Sequence, residues 1–235
     1  MQMKITKLLI PLLFCIYLGN AQSPIGGWQA TTTDPSGNEL NVSSIVTETH
    51  QVITWYSTGG DFIKTIGGSW TLYGDRWQLN VEFDSETPDN VGRTKEFTII
   101  PNAEGYHLSP LGLTFKQIDN GSPGKLMGAW QMTSRKRGEE MVSRSINQAR
   151  RTLKLLSGKR FQWIAFNVET KEFSGTGGGT YTTKDGTYTE NIEFFSRDHS
   201  RVGASLEFTY ELIDGHWHHS GLSSKGSPIY EIWSK

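Results

Sequence analysis

The chain has 235 residues, 23 Lys plus Arg against 24 Asp plus Glu, and a formal net charge of −1. No long basic stripe of the kind that holds nucleic acid is present; Arg135-Lys136-Arg137 and Arg150-Arg151 read as pieces of a solvated loop or strand edge. The single cysteine, Cys15, lies in the N-terminal apolar run, so a chain cut after Ala21 has no disulfide, thiolate metal site or cysteine nucleophile.

Residues 1–21 read as a secretory signal. Lys4 and Lys7 supply a positive start, Leu8 to Leu18 is apolar, and Gly19-Asn20-Ala21 puts small residues at −3 and −1 before a cut ahead of Gln22. The apolar run is too short to cross a bilayer with ease, and Phe14 before Cys15 disfavours a lipid anchor. No second apolar segment follows, so no membrane span is expected.

Beyond the signal, strand patterns dominate. Ile45 to Tyr56, Phe62 to Tyr73 and Trp77 to Phe83 are rich in β-branched and aromatic residues, punctuated by Gly59-Gly60, Gly74-Asp75 and Asp89-Asn90. Residues 119–127 form a polar Gly/Pro linker, which sets domains at 22–118 and 128–235. Glu139 to Leu156 contains helix formers, but its apolar residues hold no clean 3.6 period, so a helix there is the lesser reading. Thr152 to Leu156, Phe161 to Asn167, Thr180 to Lys184 and Tyr188 to Phe195 again read as strands. Asp185-Gly186 joins the last two as a two-residue hairpin, and Glu104-Gly105 and Asp214-Gly215 mark others.

The two halves repeat. Gly26-Gly27-Trp28-Gln29 returns as Gly128-Ala129-Trp130-Gln131, and residues 67–109 align without a gap on 178–220, with 14 of 43 positions identical. A repeat of about 100 residues closes its own core, unlike a solenoid unit. Aromatics pair between copies: Trp28/Trp130, Trp55/Trp163, Trp70/Tyr181, Trp77/Tyr188 and Tyr106/Trp217. Alternation puts Trp77, Leu79, Val81 and Phe83 on one face and Asn80 and Glu82 on the other; Tyr188, Glu190, Ile192 and Phe194 match the first set, Asn191 and Glu193 the second. The shared Asn80/Asn191 and Glu82/Glu193 are therefore read as outward structural residues.

Gly-x-Trp on the first strand of a small antiparallel barrel resembles the lipocalin and calycin signature, in which the tryptophan plugs the closed end. Lys154-Leu-Leu-Ser157-Gly-Lys-Arg160-Phe161, with Gly178-Gly179-Thr180-Tyr181 and Tyr188-Thr-Glu190-Asn-Ile192, is similar to lipocalin-like domains of secreted Bacteroidota proteins, which are largely uncharacterised. The resemblance implies an up-and-down barrel with a small interior cavity and implies no reaction. The expected fold is all-β, two tandem small antiparallel lipocalin-like barrels, although the repeat leaves open one joint sheet system.

Where the copies differ, function can hide. Glu190 stands where the first copy has Leu79, so a carboxylate faces a barrel interior and must pair or protonate there. Tyr181 and Tyr188 replace Trp70 and Trp77, making the second interior more polar; the first barrel is expected to be filled and the second hollow. Trp163 joins these as a cavity wall. His216 and His218 point the same way on a strand, a spacing two metal ligands could share, but no third ligand accompanies them. Lys225 lies in an insertion between Ser220 and Trp233 that could border a barrel mouth. Arg160 and Lys154 alternate with Leu153, Leu155, Phe161 and Trp163 and should both point outward. The glycine cluster Ser174 to Tyr181 precedes a strand, so it reads as a turn or bulge and not as a phosphate cradle.

Glu190, Tyr181, Tyr188, Trp163, His216, His218, Lys225 and Arg160 are thus the candidate ligand-binding set for a small, partly polar molecule. No cofactor or metal is called for. Two other classes stay open: a barrel isomerase, lyase or hydrolase using Glu190 with His216 or His218 as acid and base, and a structural or interaction module of the cell envelope.

Overall fold

A computed structural model describes residues 23–223 and 226–235. The expected signal, residues 1–21, and Lys225 lie outside the described residues. The first copy is a closed eight-stranded antiparallel barrel: β1 (Gly26–Thr33), β2 (Glu39–Val46), β3 (His50–Ser57), β4 (Phe62–Tyr73), β5 (Arg76–Asp84), β6 (Thr94–Pro101), β7 (Gly105–Ser109) and β8 (Leu113–Asp119), with β8 returning to β1. The second is built from β9 (Gly128–Arg137), β11 (Arg150–Leu156), β12 (Arg160–Asn167), β13 (Glu172–Lys184), β14 (Thr187–Phe195), β15 (Ser205–Ile213), β16 (His216–Leu222) and β17 (Pro228–Ser234), closed by β17 on β9. A short extra strand, β10 (Glu140–Ser143), folds back on the outer half of β9. The two copies are therefore two barrels and not one joint sheet.

Among the described residues there is no α-helix, and no helix is long and apolar enough to cross a membrane. The stretch 139–156 is β10 and β11, as the missing helical period suggested. The run from Ile45 to Tyr56 is two strands, because Thr47 turns the chain: its hydroxyl accepts the His50 amide and donates to the His50 carbonyl. The glycine cluster is a bulge at Gly178/Gly179, mirrored by Gly67/Gly68 in the first barrel. At Gly179 φ is +157°, and a Cβ would collide with the Asn191 carbonyl, so only glycine fits. Asp185 and Gly186 both take positive φ, 49° and 81°, as a tight hairpin between twisted strands needs.

Each barrel is plugged at one end by its repeated tryptophan. Trp28 Nε1 donates to the Pro24 carbonyl and Trp130 Nε1 to the Leu126 carbonyl, each at 2.8 Å and each four residues back. A buried indole thus keeps its one donor satisfied while its ring fills the end of the core.

Apolar residues form two barrel cores and a third cluster between them. Ile45, Val52 and Phe83 of the first barrel pack against Leu153, Leu155, Ile164 and Phe166 of the second. The Phe83 and Phe166 rings lie 5.0 Å apart, and Phe62 stacks on Phe173 at 5.8 Å. Polar groups rim this contact with approximate two-fold symmetry. Glu82 takes His50 of its own barrel at 3.3 Å and Arg151 of the other at 3.0 Å; Glu193 takes Arg160 of its own barrel at 2.6 Å and the Tyr56 hydroxyl of the other at 2.9 Å. Burial pushes Glu82 up, but the His50 hydrogen bond and the His50 and Arg151 charges outweigh it and hold the carboxyl below its ordinary range. Asp119, at the end of β8, accepts from the Gly158 and Lys159 amides and the Ser157 hydroxyl, tying the first barrel to the β11–β12 turn of the second.

This interface corrects one face assignment and explains another. Leu153 and Leu155 are apolar because their outward face meets the other barrel, so Lys154 between them points into the lumen. Arg160 does point outward, as expected, but into the contact between barrels: it is 4% exposed and donates to Ser43 as well as Glu193. Its guanidinium is engaged between the barrels and is not on the lining of the second barrel's cavity.

Candidate functional site

The lumen of the second barrel holds four ionisable groups that alternation brings to one level. Lys154 on β11 stands opposite Trp130 and Trp163 in its two ladders, and its ammonium lies 2.8 Å from Glu190 Oε1 on β14, with both side chains about 5–6% exposed. The same ammonium sits 5.2 Å from the Tyr188 ring and 5.1 Å from those of Trp217 and Trp233. A carboxylate and three aromatic faces therefore replace the water this cation has lost. His219 on β16 stands opposite Glu231 on β17, Nδ1 to Oε2 3.3 Å, and Trp233 Nε1 donates to the same oxygen at 3.2 Å.

Charge states follow from these contacts. Burial, then the Lys154 charge, lowers His219 below its ordinary value, so the ring is neutral at neutral pH. With a carboxylate facing Nδ1, that nitrogen carries the proton and Nε2 is left as a lone-pair acceptor. Burial raises Glu231, but the His219 hydrogen bond and the charges around it prevail and hold it below the carboxylate norm. The lumen thus contains one cation, two carboxylates and a neutral imidazole. Among the described residues, His219 Nε2 and Trp217 Nε1 are buried without a hydrogen-bond partner.

Above this level the barrel opens. A cavity of about 230 Å³ is walled by Trp163, Phe195, Leu206, Phe208 and Ile229, with Lys154, Glu190, His219 and Glu231 also on its lining. The first barrel also has a mouth cavity, of about 310 Å³, lined by Trp55, Ile66 and Phe97 among others. The expected contrast of a filled and a hollow barrel is therefore wrong in volume. In chemistry it holds only at the floor, since Lys64, Asp84, Glu86 and Lys95 also line the first barrel's cavity. Matching ladder positions give Ser44, Leu79, Leu108 and Leu113 in the first barrel for Lys154, Glu190, His219 and Glu231 in the second. One barrel builds this level from a serine and three leucines, the other from two ion-paired or hydrogen-bonded couples.

Of the residues singled out from sequence, Glu190 and Trp163 line the cavity and Tyr188 lies among the rings around Lys154. Tyr181 is in the core at the closed end, its hydroxyl donating to the Ser157 carbonyl at 2.6 Å, away from the mouth. His216 and His218 are on the outer face: His216 meets Ser234 and His218 meets the Tyr230 hydroxyl, each through Nδ1. Neither joins Glu190. The inward partner of that strand is Trp217, which fixes His219, two residues on, as the lumen histidine. Its signal in the sequence is the ungapped repeat, where His219 falls on Leu108, beside a His107/His218 pair that both copies share. Lys154 is hidden from alternation because the contact with the first barrel makes the outer face of β11 apolar. Trp163 matches Ile53 in strand register, both facing a bulge-bounded Gly-rich strand, so the Trp55/Trp163 pairing is also corrected. Among the described residues no three His, Cys, Asp or Glu side chains converge to hold a metal ion.

The fold is that of two closed eight-stranded antiparallel barrels in tandem and fits a lipocalin-like architecture, with a polar-floored cavity in the second barrel. Residues 125–235, the second barrel with the end of the connecting segment, match a family described as Domain of unknown function (DUF4488). No curated protein matches the chain.

Proposed function

We propose that this is an exported, lipocalin-like binding protein whose second barrel holds a small, partly polar molecule. The observation that carries the reading is the quartet Lys154, Glu190, His219 and Glu231. Buried ion pairs seldom improve stability over apolar packing, because desolvation offsets most of the Coulomb gain. The first barrel closes the same level with Ser44, Leu79, Leu108 and Leu113, so the fold has no need of charge there. Groups kept at such cost at the floor of an open, aromatic-walled cavity are placed to recognise something. Export rests on Lys4, Lys7, the apolar run from Leu8 and the small residues before Gln22. The first barrel serves as a scaffold, with the second docked on its flank.

A ligand-observed NMR screen of small polar aromatics and metabolites tests the reading. Hits should be lost when Leu206→Trp fills the cavity, with the fold intact by circular dichroism. Hits indifferent to that change would place binding elsewhere.

One observation favours acid–base chemistry as a second reading. Glu231 orients His219 through Nδ1 and leaves Nε2 unpartnered, the arrangement of a positioned base, with Glu190 on the same cavity. Turnover of a bound screening hit, abolished by His219→Gln, would support it.

A further inference from the structure

The second barrel departs from the first at its mouth as well as at its floor. From Gly26 to Val46 the first barrel has no lysine or arginine; the corresponding stretch from Gly128 to Leu156 has seven and is eight residues longer. The added length is the β9–β10 excursion and its return to β11. It carries Arg137 and Arg144 and is flanked by Arg135 on β9 and Arg150 on β11. Arg135 stands opposite Glu231 on the β9–β17 ladder and opposite Val142 on the β9–β10 ladder, at the junction of barrel wall and excursion. Arg150 is two residues from the cavity-lining Thr152 and shares its face of β11, as Lys154 does further in. Arg144 enters at the base of the return, where its amide donates to the Thr133 carbonyl.

Among the described residues, none of these four guanidinium groups lies within ion-pair distance of a carboxylate, although Glu231 and Glu140 face Arg135 and Arg137 across the ladders and Lys136 has its own partner in Glu139. Arg135 Nε is buried with no acceptor among the described residues. Four cations gathered with no carboxylate in direct contact repel one another, and a fixed, desolvated guanidinium N–H without an acceptor costs more than a free surface one. Both costs are relieved by an anion at the mouth.

We propose that the mouth of the second barrel selects ligands bearing an anionic group, a carboxylate, phosphate or sulfate, which Arg135, Arg137, Arg144 and Arg150 hold while the apolar body enters the cavity. This rests on the cavity reading above and narrows its ligand class. Arginine suits the task because its planar donors pair with such oxyanions two at a time. The ligand then spans an anionic end at the rim, apolar contact along Trp163, Phe195 and Phe208, and a hydrogen-bonding group facing the floor carboxylates.

Three probes sharing one body separate the possibilities: 4-phenylbutyrate, its uncharged amide, and 4-phenylbutylammonium, each titrated calorimetrically at low and high salt into the secreted-length chain. The carboxylate should bind about tenfold tighter than the amide and lose that advantage in high salt. Replacing Arg137 and Arg150, both exposed, with Gln should remove much of the preference without touching the fold; adding Arg135→Gln should remove the rest, and amide binding should not change. Equal affinity for the acid and the amide, or a preference for the ammonium probe, overturns the anion assignment while leaving the cavity in place. Failure of all three to bind overturns the cavity reading together with the inference built on it.

Discussion

Lys154 and Glu190 form an ion pair at 2.8 Å inside the second barrel, on two strands that share no ladder. The first barrel has Ser44 and Leu79 at these positions. The pair is a local exchange of apolar packing for charge in an otherwise repeated core.

That exchange predicts a non-additive mutant cycle. Glu190→Leu alone strands a buried ammonium and should cost about 3–5 kcal/mol, read by chemical denaturation. Adding Lys154→Met should recover most of the loss, because two apolar side chains of similar size then fill the site. Additive losses would mean the two groups act independently.

Acid should loosen the second barrel in two stages. His219 has its pKa lowered in the folded state, so above its unfolded value near 6.5 both states are neutral and no penalty arises. As pH falls through that value the unfolded chain takes up a proton that the folded chain resists, and stability declines. Glu231 is likewise lowered, so a further decline sets in below its unfolded value of 4.5. His219→Leu should abolish the first decline and leave the second, in melting temperatures measured from pH 8 to 4. An unchanged profile in that variant would assign the first decline to another group.

The barrels should unfold as one unit. Phe166 and Phe83 meet in the apolar contact between them, and Phe166→Ala should cost about 3–5 kcal/mol. Calorimetry should then show the single transition broadening or splitting, as the coupling between barrels weakens. Arg160→Met, which removes the guanidinium from Ser43 and leaves Glu193 with only the Tyr56 hydroxyl, should act in the same direction.

Much of the architecture was legible because period-2 alternation, tight-turn glycines and the duplicated tryptophan are local signals. Glu190 was legible too, since one repeat comments on the other at Leu79. Lys154 was not. Its neighbours Leu153 and Leu155 look like lumen residues, and only the presence of the other barrel turns an outer face apolar. Arg160 points outward as alternation implies, but alternation cannot tell a buried site between barrels from a rim. His219 was obscured by a histidine triplet in which the neighbour shared by both copies faces outward.

The most direct measurement is binding by a chain whose second floor has been rewritten as the first: Lys154→Ser, Glu190→Leu, His219→Leu and Glu231→Leu together. Circular dichroism should show an intact β fold, since the first barrel closes on those residues. Ligands found by NMR for the natural chain should lose at least about tenfold in affinity, the scale set by losing charge-assisted hydrogen bonds. Unchanged affinity in a folded variant would contradict the claim that these four residues make the second barrel a binding site.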